Sequence, residues 1–237
     1  MKALLNKELK LCLHPTVFIY LALVLMLLIP SYPYLVACFF LCNAMFFIFQ
    51  TSRENGDPMY TAMLPVSKAQ AVKARVLLVV IFQLLQLLLM AGMCALALVA
   101  MDVEKGNAGG TDHSLSLLAF ALVLYAIFNS IFLPSFYKTG YKAGTAFIKG
   151  AIGVWIWIML IEGLMIASGA VMNSGADIPF FRFIAENIDR MPIKAPDPAR
   201  AWTVQGILLA AGAVIYAALT TLALRVSVKR YEKVDVQ

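Results

Sequence analysis

Apolar positions in this chain gather into long runs with few polar interruptions, showing neither the alternation of a strand nor the single stripe of a soluble helix. Six such runs, at residues 17–29, 35–49, 76–100, 115–133, 151–172 and 204–224, are divided by polar, turn-forming connections. A helix needs about 20 residues to cross the hydrocarbon core of a bilayer. With their flanks included, the runs predict six transmembrane helices at about 14–29, 35–50, 76–100, 115–133, 151–172 and 204–224. The first is short, and Pro30 and Pro33 turn the chain directly into the second. So tight a hairpin also fits a re-entrant pair, which leaves the sidedness of all later segments unchanged. With no internal repeat and no soluble domain, residues 1–237 read as one all-α integral membrane domain.

The connections have patterns of their own. Residues 1–13 predict an amphipathic helix, with Leu5, Leu9 and Cys12 on one side and Lys2, Asn6 and Lys10 on another. Such a helix lies in the membrane interface or extends the first span into water. Residues 52–75 form a polar island between the second and third runs. Within it Asn55-Gly56-Asp57-Pro58 is a turn signal. A short helix is predicted from Pro58 to Met63, with Asp57 as its N-cap and Pro58 at its first position. Leu64-Pro65 ends it, because a residue before proline avoids the helical region. Ser67 then caps a long helix whose first turns carry Lys68, Lys73 and Arg75 and should protrude into water. Residues 102–114 are acidic and glycine-containing, with Asp102, Glu104, Lys105 and Asp112. Pro134 opens a second polar stretch, with Lys138, Lys142 and Lys149. Residues 178–188 are amphipathic, too short to cross, and predict a short helix at the outer interface before span six.

Composition agrees with a membrane solvent. The 237 residues are 62% hydrophobic and 14% charged, with a mean hydropathy of +0.84. The net charge of +6 points to no nucleic-acid partner, because its distribution follows the loops. Lysine and arginine number three at the N-terminus, four in 50–75, three in 134–150 and four in the tail, against none, one and four in the alternating connections. Fourteen against five, in strict alternation, predicts by the positive-inside rule that both termini face the cytoplasm. Three lysines and one glutamate within residues 1–13, with no small-residue cleavage site after the first run, argue against a cleavable leader. Trp155, Trp157 and Trp202 are expected near span ends.

Candidate chemistry is sparse. There is no GxxxxGK[ST], HExxH or GxSxG sequence. The two histidines, His14 and His113, fall on opposite predicted sides, which disfavours a histidine metal site or catalytic dyad and hence a membrane hydrolase. Cys38 and Cys42 share a helix face; a metal site is one reading, small buried hydrophobes the more ordinary one. Glu162 lies within the fifth run, where a carboxylate is costly. It is a translocation-path or coupling residue, or a buried carboxyl hydrogen-bonded to a neighbouring helix. Asn43 and Asn129 suggest interhelical hydrogen bonds. Gly206, Ala210, Ala213 and Ala217 in the last run, with Gly163 and Ala167 in the fifth, allow close helix approach, within one subunit or across a dimer. In the polar island, Met59, Tyr60, Met63 and Leu64 are apolar side chains on a short polar-flanked helix, which suggests a docked protein.

Several of these residues recur in a fixed order. Asp57 is followed by Tyr60, by Leu64-Pro65-Val66-Ser67-Lys68 and by Val72-Lys73-Ala74-Arg75. After the fourth run come Pro134, Phe136-Tyr137-Lys138 and Gly140, and the chain opens MKALLNKELKL. This succession resembles the ABC-2 type transporter permeases, in a branch that includes the phenol-soluble modulin exporters of Gram-positive bacteria. Lys68 stands where arginine is commoner, and Thr139 where an aromatic is frequent. The resemblance implies six spans of ABC-2 exporter type in a bacterial plasma membrane and an interfacial helix before the first. It also implies a second permease subunit, identical or not, and two separate ABC ATPase subunits that carry the ATP and Mg, with no cofactor on this chain. It makes Asp57, Pro58, Met59, Tyr60, Met63 and Leu64 a coupling helix to those ATPases, and amphipathic or antimicrobial peptides the expected cargo. The competing reading, an ATP-independent carrier or channel, calls for more polar residues in the spans than Glu162, Asn43 and Asn129.

Overall fold

The computed structural model describes residues 2–100, 107–139 and 142–233. Asp102, Glu104, Lys105 and Gly140, and the side chain of Pro58, lie outside that description. Among the described residues every regular element is helical.

The chain begins with α1 (Lys2–Leu11), whose buried face is Leu4, Glu8 and Cys12 at i, i+4, i+8. That is one step round from the predicted Leu5, Leu9 and Cys12, and Leu9 is exposed. The reason is an ionic partner for Glu8, described below. A turn at residues 12–15 swings the chain by 91° into α2 (Thr16–Ala22). This continues as a 3-10 segment, Leu23–Leu28. Seven α and six 3-10 residues reach about 22 Å, and the greater rise of the 3-10 turns partly makes up for so short a run. It packs antiparallel to α3 (Leu35–Glu54): Tyr20 stacks on Phe47 and accepts a hydrogen bond from Asn43 Nδ2 at 2.7 Å.

Next come α4 (Asp57–Met63) and α5 (Lys68–Ala100). Helix α5 starts in a capping box: Ser67 Oγ accepts from Gln70 N, and Gln70 Oε1 accepts from Ser67 N. Helix α6 (Leu115–Thr139) runs straight through Pro134, which sequence made the start of a polar stretch. Arg230 Nη1 donates to the Pro134 carbonyl at 2.7 Å, which braces the helix against the end of the last one. Helix α7 (Ala143–Asn173) starts eight residues before the apolar run it contains. Trp155 and Trp157 therefore sit near its middle, not at an end, and Trp157 Nε1 donates to Phe120 O. The connection after α7 holds α8 (Pro179–Ile184), a π turn at Ala185–Asp189 and a 3-10 turn at Pro192–Lys194. Asp197 then caps α9 (Pro198–Tyr231), accepting from Arg200 N at 3.1 Å.

Five helices, α3, α5, α6, α7 and α9, are long and apolar enough to cross a membrane. The bent α1–α2 pair makes six if it is one span. Helix α6 is the enclosed centre of the bundle, whereas α7 and α9 keep most of their surface outward. Gly212 of α9 meets the α6 backbone at Ala119 so closely that a Cβ would stand 2.9 Å from its carbonyl. By contrast Gly206, Ala210, Ala213 and Ala217 face away from the subunit.

The ends of the bundle differ. One end gathers α1, α4, the end of α3, the start of α5 and the ends of α6 and α9. Tyr137 and Tyr231 meet there. The other gathers residues 29–34, 107–114 and 185–197.

Candidate functional site

At the first end, the backbone of α4 is held between a glycine and a proline. Gly56, at φ 64°, is its N-cap, and Leu64 is extended before Pro65. Asp57 is thus not the predicted N-cap but the first helical residue, because Gly56 makes the left-handed turn that an N-cap side chain cannot. Freed from capping, the Asp57 carboxylate turns into the bundle.

It enters a buried ionic cluster. Lys7 Nζ lies 2.7 Å from Asp57 Oδ1 and 2.9 Å from Glu8 Oε1. Arg75 Nε donates to Glu8 Oε2 at 2.7 Å, and its Nη2 donates to Asp57 Oδ2 and to Cys12 Sγ. Ser52 Oγ donates to Asp57 Oδ2 at 3.1 Å, and Lys7 Nζ to Thr61 Oγ1 at 2.7 Å. The Arg75 guanidinium also sits 5.6 Å over the Phe49 ring. Glu8, Asp57 and Arg75 are all buried, so Arg75 does not protrude into water as the sequence suggested; Lys73 does. Burial alone would raise the Asp57 carboxyl, but Arg75 and Lys7 hold it below the usual carboxylate range. Lys7 is held above its ordinary value despite burial, by Asp57 and Glu8.

Glu8, Cys12 and Asp57 are spaced closely enough to share a metal ion. Their geometry answers to a guanidinium instead. Arg75 already bonds all three, and burial raises the Cys12 thiol to about 12, so it offers no thiolate. Cys38 and Cys42 join no such group among the described residues; both are buried, and Cys38 Sγ rests against Met90 Sδ.

The opposite face of α4 is bare. Met59 is 61%, Tyr60 50% and Met63 73% exposed, and Leu64 is half-buried at the helix end. Helix α4 thus combines an exposed apolar face with a buried ionic root.

Glu162 lies at the far end. It is 19 residues from the start of α7, about 28 Å along the axis. Its Oε1 accepts from Leu35 N at 3.0 Å, at the start of α3. Its Oε2 accepts from Thr111 N at 2.6 Å and Thr111 Oγ1 at 3.0 Å. It therefore clasps a helix N-terminus and a loop, and the loop is built around it. Gly110 has φ 135°, and a Cβ there would overlap Glu162 Oε2. Nearby, Asp189 Oδ1 accepts from Asp112 N at 2.9 Å, and His113 Nε2 donates to Leu27 O. Burial first, then the neighbouring carboxylates of Asp112 and Glu162, raise Asp189 to about 7.

Mid-bundle, Asn129 pairs reciprocally with Gln83, both bonds at 2.9 Å, and Asn129 also donates to Thr220 Oγ1. Tyr216 OH donates to Gln83 Oε1. Gln86 Nε2 donates to Ala37 O and its Oε1 accepts from Tyr125 OH. Sequence reasoning singled out Asn129 but passed over Gln83 and Gln86, which stand three apart in an apolar run. It also passed over Lys7 and Glu8 as partners and took Arg75 for a solvated charge. Glu8 in register with Leu4 and Cys12, and Arg75 in register with Val72 and Val79, were the available signals.

Among the described residues, an all-helical bundle with five helices able to cross a membrane, or six with the bent pair, has the form of a polytopic membrane protein. The chain matches the family described as ABC-2 family transporter protein over residues 3–232, and it belongs to that family. It is thus a membrane permease component of an ABC transporter. Comparison with curated proteins and with solved structures found no match.

Proposed function

We propose that this chain is the membrane-spanning subunit of an ATP-driven exporter, and that α4 is its coupling helix to a separate ABC ATPase. The supporting observation is the two-faced α4. Met59, Tyr60 and Met63 point out, while Asp57 is rooted in the bundle. ATP and Mg belong to the partner, since the chain has no phosphate-binding loop of its own. The lysine-rich end, with both termini, faces the cytoplasm, where such ATPases reside. Two permeases enclose the path, and the outward small-residue stripe of α9, Gly206, Ala210, Ala213 and Ala217, is where a second one packs closely. The cargo class is amphipathic peptides and the setting a bacterial plasma membrane. An ATP-independent carrier would need polar groups available to its substrate. Those of Gln83 and Asn129 are bonded to each other, and that of Gln86 to the Ala37 carbonyl and the Tyr125 hydroxyl.

Tyr60→Asp with Met63→Asp tests the docking face. The variant should fold, because both side chains are exposed, yet lose the ATPase on co-purification and with it ATP-dependent peptide transport. Wild-type assembly and transport would sink the reading.

A further inference from the structure

We propose that Arg75 is a positioning residue that makes α1, α4 and the start of α5 a single lever, so that a push on α4 moves the interfacial helix as well as the spans. The proposal rests on α4 being the ATPase contact.

The need for such a residue follows from α4 itself. Seven residues are too few for a helix to hold its own shape or direction in water. Its two ends are bends, Gly56 at φ 64° and the extended Leu64 before Pro65. Left to these bends, a force on Met59, Tyr60 and Met63 would swivel α4 about its ends and move nothing else. Contacts in the body of α4 must carry the force onward, and among the described residues its polar bonds to the bundle are made by Asp57 and Thr61.

Both lead to one point. Asp57 bonds Arg75 of α5, Lys7 of α1 and Ser52 of α3, and Thr61 bonds Lys7. The Arg75 guanidinium is a flat fork whose donors point in fixed directions. It spends them on Glu8, Asp57 and Cys12 and lays its face near Phe49. Lys7 closes the ring by bridging Asp57 and Glu8. Four chain segments thus meet at one buried cation, where low dielectric strengthens each bond. The adjoining void, lined by Tyr137 and Tyr231, is about 20 Å³, enough for a single water. A space of that size leaves no room for a larger ligand.

The consequence reaches the first span. Helix α1 lies at 91° to Thr16–Leu28. A rigid α1–α4 joint converts displacement of α4 into displacement of α1 along the membrane surface, and that draws on the start of the first span at residues 12–15. An α4 joined to α5 alone would leave the first span behind.

The test replaces the ionic joint by a removable covalent one. Lys7→Cys with Asp57→Cys is made in a Cys12→Ala background, and the complex with the ATPase is reconstituted in liposomes. Transport of a fluorescent amphipathic helical peptide is measured per ATP hydrolysed. Without cross-linker, the pair should retain the ATPase but lose transport per ATP by about tenfold or more, the factor a lost contact of about 1.4 kcal/mol carries. A short bifunctional methanethiosulfonate should restore it, and a reducing agent should abolish it again. A structural role alone would not respond to linkage in the assembled complex. Glu8→Gln, a milder change, should lower the same ratio while Arg75→Lys retains more of it than Arg75→Met. Wild-type coupling in the unlinked pair, or a linked pair that stays uncoupled, overturns the lever. If instead Tyr60→Asp with Met63→Asp leaves assembly intact, the docking reading has failed and not the lever.

Discussion

Glu162→Gln is the most informative single change at the far end of the bundle. The carboxylate accepts three hydrogen bonds, from Leu35 N, Thr111 N and Thr111 Oγ1. An amide of the same shape keeps one acceptor oxygen and puts an NH2 group where the other was. If the oxygen stays on Leu35, the amide NH2 faces Thr111 N. The hydroxyl of Thr111 can turn to accept, but its backbone N–H cannot. One buried N–H is stranded, at about 1–3 kcal/mol, and the surviving bond to Leu35 loses its charge assistance, about 1 kcal/mol more. The favourable placement of a negative charge at the start of α3 is lost too, a further ~0.5 kcal/mol. Relief from burying a carboxylate offsets part of this. A net loss of about 2–4 kcal/mol follows, roughly a 5–15 °C fall in melting temperature for a chain of this size. All four cysteines are buried, so a thiol-reactive fluorophore reports unfolding in detergent without any introduced cysteine. A Gln variant that melts with the wild type, or above it, would refute the clasp and show that burial of the charge outweighs its bonds.

Two other expectations concern titration and the mid-bundle network. With Asp189 near 7 when folded and near ~3.9 when unfolded, the folded chain keeps a proton that the unfolded chain releases between those values. Stability should therefore fall as pH rises from about 4 to about 7. Asp189→Asn, which keeps the acceptor for Asp112 N, should flatten that slope in the same thermal assay; an unchanged slope would assign it elsewhere. Asn129→Leu and Gln83→Leu should each cost about 1–3 kcal/mol by stranding the other's amide, and the double variant should cost less than their sum. Strict additivity would mean the pair is not coupled.

The sequence carried the fold a long way because the bilayer imposes simple rules. Backbone groups in hydrocarbon must bond internally, so each long apolar run had to be a helix, and its length had to approach the membrane thickness. Helix α5 was legible as one long helix for this reason, and Ser67 marked its start. Punctuation was less reliable where tertiary contacts competed. Pro134 reads as a stop, but α6 runs past it to Thr139, and the Pro134 carbonyl is bonded by Arg230 at the end of α9. Residues 143–150 read as loop, but α7 begins there.

The candidate site was legible in outline for a similar reason. Local chemistry placed a short helix between Gly56 and Pro65, and its apolar residues were visible as such. Sequence alone determined that the chain is a multi-span helical bundle with a short helix bearing apolar side chains after its second run. What the tertiary structure decided was which charges are spent inside. Lys7, Glu8, Asp57 and Arg75 come from segments up to 68 positions apart, and their pairing depends on how α1 folds back across α5. Glu162 likewise sits within an apolar run by sequence, yet in the bundle it reaches the start of α3 and the loop at Gly110. Charge pairing over such separations is a property of helix packing, to which hydropathy along the chain is blind.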